Sequence, residues 1–346
     1  MDPQPPETQA PDITGRLATM KDVADVAGVS RQLVSMIMRD LPGPSESTRL
    51  RVLEVASQLN FQPNISARVL RQQRTRRIGL MFRVTNPFQA QLAERFLERA
   101  KERGLGVVLA PTTAERDTET VIAELLGHRV EALACFNPSP DSPAFHRALN
   151  LIPIVWLGEK AGDPRASGVC VDDELGIALA VDHLADLGHR EIAFFGGQGG
   201  AVGPAREAAY RDAMVRLGLS EYVDTVSTGF DLEDGANAAR DLLTRTTLPT
   251  AIVCCSDRVA AAAKVVFLEA GVRVPDDISL VGYDDSPIAN LSFNQLTSVR
   301  QDVDMTAEAT LATIGERLAD PTIPPRDTLI STTLTVRMST SAPRSE

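Results

Sequence analysis

The chain has 346 residues, 43% hydrophobic and 23% charged, enough for two or three domains of an ordinary globular protein. Its formal net charge of −11, read alone, argues against a nucleic-acid partner, and no apolar run reaches the roughly 18 residues of a membrane span. Cys135, Cys170, Cys254 and Cys255 form no CxxC pair and His128, His146, His183 and His189 are scattered, which argues against a zinc site or a disulfide framework and fits a reducing cytoplasm.

Residues 1–18 are Pro-rich and polar and read as a disordered arm without the apolar stretch of a signal peptide. MKDVADVA places Val23, Val26 and Ala27 on one helical face, and Gly28 ends that helix. Ser30 caps a second helix, expected to run to about Arg39, with Leu33, Val34, Ile37 and Met38 inward. LPGP at 41–44 breaks the chain. Ser45 caps a third helix, for which Leu50, Leu53, Val55, Ala56 and Leu59 are the expected core side. Three short helices around a tight glycine turn make a helix-turn-helix pattern.

Charge supports that reading. Thr19 to Arg77 holds ten Lys or Arg against five Asp or Glu, whereas Ile78 onward holds 24 against 38. A small basic module is joined to a large acidic one, so a polyanion would be met at one end only. NISARVLRQQRTRR at 64–77 is arginine-rich with little apolar surface, a linker expected to order on binding.

From Ile78 the texture changes. IGLMF, GVVLA, ALACF, PIVWL, EIAFFGG, AIVCCS and SLVGYD are strand-like, with amphipathic helical stretches between them. This alternation predicts parallel sheets built from βαβ units, and about ten strands fit two lobes better than one sheet. Ligands in such sheets sit beyond the strand carboxyl ends. The chain holds no HExxH, GxSxG or Walker-type phosphate loop, and no organised nucleophile, base, metal set or cofactor motif, so no catalytic role is expected. GGQGGAVG at 196–203 narrowly misses GxGxxG because Val202 takes the third place, and reads as a flexible cleft loop.

Taken in order, TMKDVADVAGVSRQLVS, STRLRVLEVASQLNFQPNISARVLR, NPF, VDDELG, LGHREIAFFGG, SDRVA, GVRVPDDISLVGYDD, LTSVRQD and LTVRMST resemble the LacI/GalR family of bacterial transcription regulators over nearly the whole chain. The resemblance implies an all-α helix-turn-helix domain at 19–62, a hinge helix at 63–77, and an α/β effector domain at 78–346, two-lobed and similar to periplasmic sugar-binding proteins. The expected lobes are 78–175 with 301–318, and 176–298 with 319–346. A homodimer on double-stranded DNA, at a near-palindromic operator, is also implied. The final segment lacks a leucine heptad, so no tetramer is expected.

By that resemblance Arg31, Gln32 and Met36 fill the base-reading positions. A recognition helix enters the major groove by its N-terminal part, where Arg31 can pair with guanine, Gln32 with adenine, and Met36 can touch a thymine methyl. Thr19, Ser30, Ser35, Ser45 and Asn64 match phosphate-touching positions, which set register. Ala67 matches a close hinge-helix contact, and Leu70 a minor-groove wedge. In the effector domain the resemblance points to Asn86, Phe88, Glu159, Arg206, Phe230 and Asp257. An aromatic face with Arg and Asp suits a carbohydrate, which has an apolar face and hydroxyls needing donors and acceptors. The extra cation Arg83 leaves an acidic or phosphorylated effector open.

Overall fold

The computed structural model describes residues 18–38, 40–61 and 74–344, in two units divided after Thr75. The N-terminal arm and the hinge segment with Asn64, Ala67 and Leu70 lie outside the described residues.

The first unit holds α1 (Met20–Ala27), α2 (Arg31–Ile37) and α3 (Glu46–Gln58). Thr19 opens α1 with a reciprocal capping box to Asp22, and Gly28 closes it at φ 65°, a left-handed turn that favours glycine. Ser30 and Ser45 cap α2 and α3 through Leu33 N and Thr48 N. Val23, Ala24, Ala27, Val34, Ile37, Val52, Val55 and Ala56 form the core. Val23, Val34 and Val52 are fully buried, each contributing roughly 1.5–3 kcal/mol. Two expectations are corrected. Helix α2 stops at Ile37, with Met38 as its cap. On α3, Leu50 and Leu53 are exposed and Val52 takes the core, because 52, 55, 56 and 59 keep the helical phase that 50 and 53 break. Arg49 fixes the turn before α3 by donating to Asp40 Oδ1 at 2.6 Å and the Leu41 carbonyl at 2.9 Å.

The second unit is two lobes, each with a six-stranded sheet. The N-lobe runs through β1 (Arg77–Arg83), α4 (Pro87–Glu102), β2 (Gly106–Thr112), α5 (Thr118–Gly127), β3 (Ala132–Phe136), α6 (Pro143–Leu151), β4 (Ile154–Leu157) and β5 (Ser167–Val171). The C-lobe follows with α7 (Asp173–Asp186), β6 (Ile192–Gly197), α8 (Val202–Arg216), β7 (Asp224–Thr228), α9 (Leu232–Leu243), β8 (Ala251–Cys254), α10 (Asp257–Glu269), β9 (Ser279–Asp284) and β10 (Thr297–Arg300). The chain then returns: α11 (Val303–Ala319) and β11 (Asp327–Ile330) belong to the N-lobe, and β12 (Thr333–Thr335) to the C-lobe.

Strand order is β11-β5-β4-β3-β1-β2 in the N-lobe, all parallel. In the C-lobe it is β12-β10-β9-β8-β6-β7, where only β12 runs antiparallel. Central strands such as ALACF and SGVCV are buried at every position, because helices cover both faces. The lobe boundary expected at 318 moves: β11 pairs with β5, so residues up to 330 serve the N-lobe. The chain therefore passes between lobes at 171–173, 300–303 and 330–333.

Candidate functional site

At the N-terminal unit, Arg31 and Gln32 are exposed on the first turn of α2, and their side chains make no hydrogen bond among the described residues. Ser30 Oγ accepts from Leu33 N at 3.2 Å and Ser45 Oγ from Thr48 N at 3.3 Å. A hydroxyl that accepts for its cap still has a proton to donate, so a cap and a phosphate contact are compatible. Thr19 Oγ1 already donates to Asp22 Oδ2 at 2.7 Å. Ser35 is half-buried. Met36 is half-buried too, and its terminal methyl lies 3.4 Å from where a Cβ on Gly43 would stand. That side chain rests on its own domain's turn, which limits how far it can extend.

In the second unit, polar groups converge beyond the carboxyl ends of the C-lobe strands. Arg206, in the second turn of α8, is buried. Its Nε donates to Asp173 Oδ1 at 2.8 Å and its Nη1 to the Cys255 carbonyl at 2.6 Å, which leaves Nη2 for another acceptor. The guanidinium lies over Tyr283, 3.6 Å from the ring centroid, and 5.9 Å from that of Phe230. Burial opposes its charge, but Asp173, Tyr283 and Asp284 more than offset this and hold its pKa above the ordinary value. Tyr283 donates to the same Asp173 oxygen at 2.7 Å.

Phe230 is half-buried, and its ring sits on the glycine loop. A Cβ on Gly199 (φ 95°) would stand 2.8 Å from Phe230 Cε2, so a side chain there would displace the ring. The glycine cluster thus accommodates an aromatic wall. The Cys255 thiol is pushed up to about 12 by burial, with Arg206 opposing, and stays protonated.

Two of the expected contact residues are engaged within the protein. Asp257 is fully buried and both its oxygens are taken: Ser286 N and Oγ donate to Oδ2 at 2.7 and 2.8 Å, and Ser298 Oγ donates to Oδ1 at 2.5 Å. It ties the start of α10 to β10 and to the segment at Ser286, which occupies both its oxygens. Phe88 is buried in the N-lobe core, edge-on to Phe136 with centroids 6.3 Å apart. Its turn is closed by Asn86 Oδ1, which accepts from Gln89 N at 3.1 Å, and by the buried Gln89, whose Oε1 accepts from Arg83 N at 2.7 Å. Glu159 Oε1 accepts from Trp156 Nε1 at 2.8 Å, while its Oε2 is buried without a partner among the described residues.

The acid beside Arg206 that the sequence reading missed is Asp284. It ends β9 in a left-handed conformation, φ 111°, that an aspartate rarely adopts. Gln301 Nε2 donates to its Oδ1 at 2.5 Å. Burial raises its carboxyl well above the usual range, Arg206 opposes this, and nearby Asp257 adds to it. A signal existed, because Asp284 stands at a strand's carboxyl end, where ligands of such sheets sit.

Residues 19–64 match the family described as bacterial regulatory proteins, lacI family, and residues 181–340 a periplasmic binding protein-like domain. The ribose operon repressor of Escherichia coli is 31% identical over 314 residues, covering 89% of this chain and 95% of that protein. The chain belongs to the LacI family of bacterial regulatory proteins. A lac repressor dimer bound to operator and an anti-inducer superimposes with a TM-score of 0.81 at 26% identity, over 94% of this chain and all of that one. The CelR–cellobiose complex gives a TM-score of 0.69 at 29% identity, over 93% and 99%. Within this LacI-family frame the helix-turn-helix unit is the DNA-binding module and the two-lobed unit the effector domain.

Proposed function

We propose that this LacI-family regulator is a repressor, acting in the cytoplasm and not as an enzyme, whose operator affinity is set by a carbohydrate held between its lobes. The observation that carries the reading is the Arg206 cluster. A buried guanidinium with one nitrogen unspent stands between aromatic faces, next to a strand-end carboxyl. Arg206 Nη2 and Asp284 would bind sugar hydroxyls, Phe230 would cover the apolar face, and the unpartnered Oε2 of Glu159 would take a hydroxyl from the N-lobe side. Asp173 places a carboxylate beside Arg206 and already pairs with it, which favours a neutral sugar over a phosphorylated one. The ribose operon repressor and the cellobiose complex among the relatives are consistent with this.

On DNA, Arg31 and Gln32 would read base edges, with Met36 touching an apolar edge of a base, while Ser30, Ser35, Ser45, Thr19 and Asn64 set register. Ala67 and Leu70 would form the hinge at the operator centre. Two copies would act together, as in the lac repressor dimer. An exposed apolar face suits that pairing: Val265 and Leu268 on α10 stand out to solvent beside Phe293, whose carbonyl accepts from Lys264 Nζ at 3.0 Å. Effector binding would shift the lobes' population and, through the dimer, the spacing of the hinges.

A thermal-shift screen with neutral sugars and sugar phosphates tests the effector. A salt-dependent band shift with selected palindromes tests the operator. The reading fails if no carbohydrate shifts the melting of the second unit, or if binding shows no preference among DNA sequences.

A further inference from the structure

We propose that Arg258 is a strap holding the two lobes shut across the cleft, through bonds made wholly within the protein. Arg258 is the second residue of α10, in the C-lobe. Its Nη1 donates to the carbonyl oxygen of Thr85 at 2.9 Å, and Thr85 belongs to the N-lobe turn between β1 and Asn86. The same nitrogen stands 2.9 Å from Oδ1 of Asp231, which caps α9 directly after Phe230. One guanidinium therefore links the NPF turn of one lobe to two elements of the other.

The two partners do different work. Asp231 is 68% exposed, so that ion pair orients the guanidinium more than it stabilises it. The Thr85 carbonyl is the firm end. Its turn is fixed by Asn86 N donating to the Arg83 carbonyl at 3.0 Å, and a charged donor on a main-chain acceptor is the stronger kind of hydrogen bond. The lobes approach at a second point, where Asn137 Nδ2 of the N-lobe lies 3.5 Å from the Cβ position of Gly200. Neither point uses Arg206 or Asp284.

The closed arrangement is thus populated before any small molecule arrives, and an entering ligand adds to closure that the protein already supplies. Loss of the strap raises the open-to-closed ratio by up to about fivefold, the factor carried by one solvent-exposed charged contact. The inference holds whichever molecule enters the cleft.

The test uses the full-length protein with spin labels at Ala114→Cys and Glu233→Cys, exposed positions in the loop after β2 and at the start of α9. The native cysteines are buried, so labelling is confined to the introduced ones. Double electron–electron resonance then compares Arg258 with Arg258→Ala and Arg258→Gln, each checked for an intact melting transition. Arg258 gives one dominant short distance. Either variant adds a longer population, with a change in ratio of up to about fivefold. Unchanged distributions in both variants overturn the strap. Should the alanine variant fail to fold, the glutamine variant decides alone, since its side chain is shorter than arginine's and carries no charge.

Discussion

Replacing Arg206 by Met keeps an apolar stem against Tyr283 and deletes the charge. Two hydrogen bonds vanish, and Asp173 and the Cys255 carbonyl lose their buried donors. Breaking a buried pair from one side costs about 3–5 kcal/mol. Here Tyr283 still donates to Asp173, and Asp173 keeps 14% of its side-chain exposure, which places the loss near the lower figure, about 3 kcal/mol. At about 2–4 °C per kcal/mol for units of this size, the melting of residues 76–346 falls by about 6–12 °C. Asp173→Leu alone also destabilises, because it strands the cation. The double variant Arg206→Met/Asp173→Leu is less harmed than the summed singles, by about 2 kcal/mol. Calorimetry and urea unfolding on the four proteins supply the cycle. A single Arg206→Met within about 1 kcal/mol of the parent, or strictly additive singles, would refute the buried-pair reasoning.

Asp284→Asn removes a carboxyl whose folded-state value is raised by burial. The folded state holds that proton more tightly, so the native aspartate's contribution falls as pH rises above about 4 toward its raised value. The variant is therefore more stable than the parent at pH 8 and indistinguishable at pH 4, read by melting temperature across that range. Arg31→Ala costs about 1–3 kcal/mol of operator affinity and relaxes the preference at one base pair, with the salt slope nearly unchanged, as read in band shifts over a panel of operator variants. Phe293→Asp together with Leu268→Asp turns the exposed α10 face hydrophilic and yields monomers in sedimentation, with the helix content retained.

The long apolar strands were legible from sequence because burial on both faces leaves an uninterrupted signature. ALACF and SLVGYD coincide with β3 and β9. The strands β11 and β12 were not, since DTLI and TLT are short and half-exposed, and their partners are remote in the chain. The α3 error came from ranking Leu50 and Leu53 by hydrophobicity over helical phase. The carboxylate bonded to Arg206 is Asp173, within the VDDELG stretch, and nothing in the sequence marks that pairing. Asp257 and Asp284 both end strand-like runs, and only the fold shows that serines at 286 and 298 close around the first. The strap at Arg258 had no signature at its other end, because a carbonyl is common to every residue.

The triple passage of the chain between the lobes governs its birth on the ribosome. The flank of β5 stays uncovered until residues 327–330 have emerged, after nearly all of the C-lobe, and β12 follows them. The N-lobe is not finished until most of the C-lobe has been made. A nascent chain can complete its helix-turn-helix early, but the domain that governs it matures as one late event, and a truncated product carries an open sheet edge that marks it for aggregation or removal.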